Sequence, residues 1–309
     1  MRDSWRQIQV TVPAALAEDV RLLMQRRAGR AVAVEEEFAK DPPDESVPTG
    51  SCRVTAWFPE SGRSQAAASA LLSDLRMAAG LDVPSLRAVR QTVTGRREWR
   101  ARERRYQRPI EVGSLVLVPI DAEVPAGTAP ESVLRIDAAG AFGSGLHPST
   151  RGALRTLQGL DLTGRTVLDV GTGTGVLAIA AARLGAAAVT AIDLDREAVA
   201  LARRNARRNR CGPSVRVEPG DLGPGWTEGR DAFDVVVANI TADAHQRLLG
   251  AYSVVAAGPL LLSGIYRPRI AGLSESLDAA GWTRRETALD EEWATMLCRR
   301  PGCSGPEGV

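Results

Sequence analysis

Three glycines at alternate positions follow a short apolar run in the stretch VLDVGTGTG, where they are Gly171, Gly173 and Gly175. Glycine lets the backbone turn sharply and lets a ligand lie against it without an intervening Cβ atom. Dinucleotide-binding loops have the spacing G-x-G-x-x-G and seat a pyrophosphate on the following helix. Here the third glycine comes one residue earlier, which weakly disfavours a dinucleotide. The stretch therefore predicts a strand, a ligand-binding loop and a helix, although a glycine turn without a ligand has the same pattern.

Acidic residues follow the next two predicted strands. Asp193 ends the stretch VTAID, where a carboxylate can accept hydrogen bonds from both hydroxyls of a ribose. This position predicts a ligand of the adenosine type without specifying a reaction. Asp195 could serve instead, but its place before a helix favours a capping role. Asp221 is positioned either to meet an adenine amino group or to lie in a turn.

The reaction is indicated by Asn239 and Ile240, which end the fourth predicted strand in the stretch VVVANIT. At the ligand edge of a parallel sheet, the asparagine carboxamide oxygen and the next backbone carbonyl can accept hydrogen bonds from an amine. Two such acceptors would orient a nitrogen lone pair towards an electrophile, with water as the proton acceptor. Asn-Ile-Thr is also a glycosylation sequon, but the stretch MRDSWRQIQV does not resemble a secretory signal.

A second glycine-rich loop, AFGSGLHPST, ends at Thr150. Its glycines and hydroxyls suit a wall over a cofactor, and Thr150 could alternatively cap the helix that follows. His147 precedes a proline, so its backbone is expected to be extended, and its ring is either catalytic or structural.

The elements that must position these residues alternate regularly after residue 160. Strands alternate with helices, among them helices over 196–208 and 242–255, which predicts an α/β fold with a doubly wound, mainly parallel sheet. The first ninety residues have the pattern strand-helix-strand twice, which is typical of a ferredoxin-like α+β domain. We therefore predict a small domain over 1–93, a linker over 94–130, a larger domain over 131–300 and a disordered tail over 301–309.

Composition excludes several classes of protein. The 309 residues are 44% hydrophobic and 25% charged, as in ordinary globular proteins, and the net charge is only +2. Four scattered cysteines and two histidines predict no metal site and no disulfide framework. The longest apolar stretch, 176–189, is too short to span a bilayer. We expect a cytoplasmic monomer that makes no membrane contact.

Five motifs carry a resemblance to a known family. In order along the chain, AFGSGLHPST, VLDVGTGTGVLAIAAARLGA, AIDLD, VVVANIT and LLLSGI resemble the bacterial ribosomal protein L-eleven methyltransferase (PrmA) family, and the stretch 99–109 resembles its tryptophan-containing linker. The resemblance implies a Rossmann-like class I methyltransferase sheet that uses S-adenosyl-L-methionine. It also implies a substrate-binding N-terminal domain and methylation of amino groups, on lysine side chains or the N-terminus, of a large-subunit ribosomal protein. Carried over by position, the family's cofactor contacts fall on Thr150, Gly171, Asp193 and Asn239.

Arginine distribution suggests a further partner. Of the 39 basic residues, 38 are arginine, and the positive surplus lies in the seven arginines from Arg96 to Arg108. This segment could face ribosomal RNA or only solvent. Three alternatives to the family function also remain: a methyltransferase of a small molecule or RNA, a nicotinamide-dependent oxidoreductase, and a cofactor-binding module without activity.

Overall fold

The computed structural model describes residues 4–13, 20, 24, 32–35, 51–59, 66, 69–71, 73–74, 88–95, 108–137 and 147–301. The chain forms two compact units, Met1–Arg105 and Tyr106–Val309. The arginine-rich segment up to residue 107, most of the AFGSGLHPST loop and the predicted tail from residue 302 lie outside the described residues. No helix in the described ranges is long and apolar enough to cross a membrane.

The first unit contains an antiparallel sheet of four strands in the order β2-β3-β1-β4. Its strands are β1 (Ser4–Pro13), β2 (Val32–Glu35), β3 (Ser51–Pro59) and β4 (Ala88–Gly95). Ile8, Val10 and Val12 are fully buried, as their alternation with polar residues predicts. The strand order is that of a ferredoxin-like fold, which confirms the predicted class of this unit.

The second unit opens with a small three-stranded sheet in the order β5-β6-β7. Its strands are β5 (Ile110–Val112), β6 (Leu115–Pro119) and β7 (Val133–Ile136). Val112, Leu117 and Leu134 belong to the hydrophobic core that also covers the main sheet. Much of the segment that we predict as a linker, 94–130, is therefore a folded part of the second unit. The sequence does not reveal β5 because three residues are too few to show a period.

The main sheet has seven strands in the order β10-β9-β8-β11-β12-β14-β13. The strands from β8 to β12 are parallel, and β14 runs antiparallel to both of its neighbours. The chain winds outward from β8 to β10 and then returns to place β11 beside β8, so the crevice at their carboxyl ends is a topological switch point. The strands are β8 (Thr166–Val170), β9 (Ala188–Asp193), β10 (Val215–Pro219), β11 (Val235–Asn239), β12 (Leu260–Tyr266), β13 (Thr283–Asp290) and β14 (Trp293–Arg299).

Helices cover both faces of this sheet, which confirms the predicted doubly wound architecture. Alternate residues of one strand enter different cores: Val237 packs with α1, α2 and α3, whereas Val236 packs with α5 and α6. The helices are α1 (Pro148–Gln158), α2 (Val176–Arg183), α3 (Arg196–Arg208), the single turn α4 (Pro224–Thr227), α5 (Ala242–Val255) and α6 (Ile270–Ala279).

Candidate active site

The glycine loop between β8 and α2 has the backbone conformation that its sequence predicts. Gly171, Gly173 and Gly175 have φ angles of +71°, +54° and +83°, in the left-handed region that favours glycine. At two of these positions, neighbouring side chains also leave little room for a Cβ atom. A Cβ atom on Gly171 would lie 2.6 Å from Cγ2 of Ile240, and one on Gly175 would lie 3.0 Å from Cβ of Ala202 in α3. The loop is therefore both a candidate ligand cradle and a close contact with Ile240 and with α3.

Asp193 lies at the end of β9 and holds the same loop. Its Oδ2 accepts a hydrogen bond from the backbone N–H of Gly173 at 2.8 Å, and its Oδ1 accepts one from Asp195 at 2.9 Å. Each carboxylate oxygen has a further lone pair for a ligand hydroxyl. Asp195 caps α3 by accepting a hydrogen bond from the N–H of Glu197, in agreement with the role that its position favours.

Asp169, inside β8, is a site residue that the sequence reasoning missed. Its side chain is buried, and its Oδ2 accepts hydrogen bonds from Thr172 Oγ1 at 2.6 Å and from the N–H of Ala178 at 3.1 Å. Its Oδ1 has no hydrogen-bond partner within the described part of the chain. The signal that could have found it is a lone carboxylate in the apolar run VLDV.

The two carboxylates make the surroundings of the loop acidic. Burial, with a smaller contribution from the charge of Asp193, raises the pKa of Asp169 to about 7. Burial also raises the pKa of Asp193 above its usual range. Each shift means that an additional positive charge nearby would be favourable and an additional negative charge unfavourable. The loop therefore favours a cationic nucleoside over a dinucleotide, whose pyrophosphate is anionic.

Replacing Asp169 with asparagine tests this electrostatic description. The folded-state pKa is raised, so the native protein binds a proton more tightly than the unfolded chain, and its stability falls as pH rises from about 4 to about 7. Asp169→Asn keeps an acceptor for Thr172 and Ala178 but removes the buried charge. We expect its free energy of unfolding to exceed that of the wild type at pH 8, by at most about 4 kcal/mol. Urea denaturation at pH 5 and pH 8 measures this; an equal gain at both pH values would contradict it.

Asn239 ends β11 and is almost completely buried beside α1. Its Nδ2 donates a hydrogen bond to Thr150 Oγ1 at 3.2 Å. Its Oδ1 is buried and has no hydrogen-bond partner among the residues described. The amide is therefore oriented by its nitrogen, and its oxygen is left available as an acceptor.

Ile240 presents the second acceptor next to the first. Its N–H donates to the carbonyl of Ser263 in β12 at 3.2 Å, which fixes the adjoining backbone. Gly264, with a φ angle of +80°, lies in close contact with both acceptors: a Cβ atom there would lie 3.1 Å from Oδ1 of Asn239 and would collide with the carbonyl oxygen of Ile240. The structure thus brings Thr150, Asn239 and Ile240 together.

Thr150 is fixed because α1 is held at both ends of its first turn. The cap of α1 is His147, whose Nδ1 accepts the N–H of Ser149 at 3.2 Å and whose ring meets Trp293 edge-on at a centroid distance of 4.5 Å. The alternative that Thr150 caps the helix is therefore wrong, because the helix begins at Pro148. Arg151 also pairs with Asp290, the last residue of β13, at 2.9 Å and with Glu291 in the turn that follows at 2.8 Å.

Asp221 lies apart from these contacts. Its side chain is exposed in the turn after β10, where its carbonyl accepts a hydrogen bond from Gly223 at 2.8 Å. A role towards adenine stays a prediction. Within the described ranges, no group of three or more His, Cys, Asp or Glu side chains is arranged to hold a metal ion.

A doubly wound sheet with an acidic glycine loop and a pair of hydrogen-bond acceptors at its switch point is the architecture of a class I S-adenosylmethionine-dependent methyltransferase. The family model described as "Ribosomal protein L11 methyltransferase (PrmA)" matches residues 4–301. The chain belongs to this family, and its cofactor is S-adenosyl-L-methionine. The match confirms the resemblance carried by the five motifs and includes the N-terminal unit, which those motifs do not cover.

Individual relatives agree with the family assignment. A curated "Ribosomal protein L11 methyltransferase" of Exiguobacterium sp. is 34% identical over 96% of this chain and 99% of its own length. One from Deinococcus radiodurans is 39% identical over 66% of this chain and 77% of its own length. The crystal structure of ribosomal protein L11 methylase from Lactobacillus delbrueckii subsp. bulgaricus has a TM-score of 0.57 at 26% identity, covering 63% of this chain and 98% of that one.

Proposed function

We propose that this enzyme methylates amino groups of ribosomal protein L11, on lysine side chains, the N-terminal amine or both, in the cytoplasm. The observation that carries the proposal is the buried Oδ1 of Asn239, which has no partner in the described structure and lies close to Gly264, where a Cβ atom would come within 3.1 Å of it. A hydrogen-bond acceptor in such a place is costly unless a ligand uses it. A neutral amine that donates to it, and to the carbonyl of Ile240, matches this need.

The residues present fit S-adenosylmethionine. Asp193 would hold the ribose hydroxyls, and the loop from Gly171 through Gly173 to Gly175 would lie against the cofactor. The buried Oδ1 of Asp169 has no partner in the described residues, and the raised pKa of this carboxyl means that a nearby cation would be favourable. Thr150, Asn239 and Asp221 are further candidate contacts, with Asp221 assigned to adenine. When bound, the cofactor supplies a methyl group that is electrophilic because it is attached to a sulfonium.

The chain contributes mainly positioning of the amine. Thr150 holds Asn239 by its nitrogen, so two oxygen acceptors point a lone pair in one direction. The amine must be neutral to react: at pH 7 this costs about 4–5 kcal/mol for lysine and about 1 kcal/mol for an α-amine. Desolvation reduces the cost for lysine. We assign the released proton to water.

The N-terminal unit is the proposed binding site for the substrate protein. Its ferredoxin-like sheet lies outside the unit that contains Asp169, Asp193 and Asn239, and the family model extends over both units. We further propose that the enzyme acts as a monomer and that the segment from Arg96 to Arg108 contacts ribosomal RNA, which its seven arginines support.

Labelled S-adenosylmethionine tests the proposed substrate. We expect incubation with purified L11, alone and in a mixture of ribosomal proteins, to place label on L11, with mass spectrometry locating the methylated amines. L11 whose amines have been blocked by acetylation is the matched control and should stay unlabelled. Label on ribosomal RNA or on a small molecule, with none on L11, would support the corresponding alternative methyltransferase and overturn this proposal.

A further inference from the structure

A network of buried, hydrogen-bonded polar side chains adjoins the two amine acceptors. Ser263 in β12 is its centre. The Ser263 carbonyl accepts a hydrogen bond from Nε2 of His245 at 2.8 Å, and Nδ1 of His245 lies 3.2 Å from the hydroxyl of Tyr252. The Ser263 hydroxyl bonds to the carbonyl of Ser149 and to Thr295 Oγ1, both at 2.8 Å. Ser263, His245, Tyr252 and Thr295 are all buried.

The proton positions in this network follow from its acceptors. A carbonyl only accepts, so Nε2 of His245 carries the hydrogen, and Nδ1 accepts from the hydroxyl of Tyr252. Burial lowers the pKa of His245 to about 4, in agreement with a neutral ring near pH 7. The single hydrogen of the Ser263 hydroxyl goes to Ser149, so the hydroxyl of Thr295 donates to Ser263. The donor and the acceptor of each hydrogen bond in the network are therefore defined.

Both amine acceptors are connected to this network by hydrogen bonds. The Ser263 carbonyl that receives His245 also receives the N–H of Ile240 at 3.2 Å. The Ser263 hydroxyl holds the carbonyl of Ser149, and the next residue, Thr150, orients Asn239. Ser263 thus connects to one acceptor through its backbone and to the other through its side chain.

Packing alone does not account for this arrangement. The Ser263 carbonyl already has a partner in Ile240, so His245 is not needed to satisfy it. An apolar pair in place of His245 and Tyr252 would fill the core without burying an imidazole and a hydroxyl, and such replacements are often neutral for stability. The bond from His245 instead fixes the plane of the peptide that contains the Ser263 carbonyl. Through this carbonyl it fixes the direction of the Ile240 N–H and the adjoining backbone.

We propose that His245 and Ser263 are positioning residues for methyl transfer: they hold the carbonyl of Ile240 and the carboxamide of Asn239 in register with the incoming amine. This inference rests on the proposed role of Asn239 and Ile240 as amine acceptors. His245 and Ser263 do not touch the reacting atoms; they act through the backbone of Ile240 and through Thr150.

The full-length enzyme, L11 and labelled S-adenosylmethionine test the inference. In His245→Leu we expect kcat to fall by about 10- to 100-fold, because small misplacements of reacting groups have effects of this size. The dissociation constant for S-adenosylmethionine, measured by calorimetry, should stay within about twofold. His245→Gln, whose side-chain amide can donate where Nε2 does, should recover most of kcat. Tyr252→Phe, which leaves the bond from His245 to Ser263 in place, should remain close to the wild type.

A second pair of variants covers the case in which His245→Leu does not fold. Thr295→Val removes the hydroxyl that donates to Ser263 at nearly constant volume, whereas Thr295→Ser retains it. We expect Thr295→Val to have the lower kcat of the two, by at least threefold, with equal cofactor affinity. A wild-type kcat in folded His245→Leu, or in Thr295→Val, would overturn the inference, as would a loss of cofactor affinity equal to the loss of kcat.

The variant Asn239→Ala separates this inference from the proposed function. If Asn239→Ala loses transfer and His245→Leu does not, only the positioning role is wrong. If Asn239→Ala keeps wild-type transfer, or the wild type does not methylate L11, the proposed function fails and this inference fails with it.

Discussion

Asn239→Ala should lower kcat by about 100- to 1,000-fold, the range found when one preorganised hydrogen-bonding group is removed from an active site. Alanine deletes the carboxamide oxygen that we assign to the amine and leaves only the carbonyl of Ile240. Binding of S-adenosylmethionine should persist, because the glycine loop and Asp193 lie on the β8 and β9 side of the crevice. Single-turnover transfer from labelled cofactor to L11 measures the first effect, and calorimetry measures the second.

Stability provides an internal control for this variant. Removing Asn239 leaves the hydroxyl of Thr150 without this donor but also removes a buried oxygen that has no partner in the described residues. These effects oppose each other, so we expect the midpoint of thermal unfolding to change little. Thr150→Val, which leaves the Asn239 amide in place without its partner, should lower kcat less than Asn239→Ala does. Wild-type turnover in Asn239→Ala would show that the amine is held elsewhere.

Gly264→Ala should abolish most transfer by displacing both acceptors. A Cβ atom at this position would collide with the carbonyl of Ile240 and come within 3.1 Å of Oδ1 of Asn239. The φ angle of +80° adds about 1–2 kcal/mol of backbone strain for any residue with a Cβ. We expect kcat to fall by more than about 100-fold, with a lower unfolding temperature. Methyl transfer and thermal denaturation followed by circular dichroism measure the two effects.

Gly250→Ala is the matched control for the glycine substitution. Gly250 lies exposed within α5, and a Cβ there would meet nothing within 4 Å. Alanine in a helix interior is more favourable than glycine by about 1 kcal/mol, so this variant should be more stable than the wild type and equally active. Gly264→Ala with wild-type turnover would refute the assignment of Asn239 and Ile240 as the amine acceptors.

Helices with local signals could be predicted to the residue. The predicted helices over 196–208 and 242–255 have the same bounds as α3 and α5. Asp195 and Thr241 cap them from the side chain, and the apolar period lies within the helix itself. The presence of the strands of the main sheet was also predictable, although not their bounds, because apolar strands alternate with these helices and each strand is long enough to show its pattern.

Features that depend on distant residues could not be predicted. In the polar network, Ser263 bonds to Ser149, which is 114 positions away in the sequence, and to Thr295, which is 32 positions away. No local pattern indicates such pairs. From the sequence alone, His245 has the position of an ordinary polar residue of an amphipathic helix. The same limit applies to Gly171, whose close approach to Ile240 exists only because β8 and β11 become neighbours in the sheet.

The candidate site lies within one of the two compact units. Asp169, Asp193, Asn239 and the polar network around Ser263 are all in residues 106–309. Substitutions among them therefore endanger chemistry. With recognition assigned to residues 1–105, substrate choice can drift through that unit while turnover is preserved, so the two halves of the chain are expected to diverge at different rates among relatives.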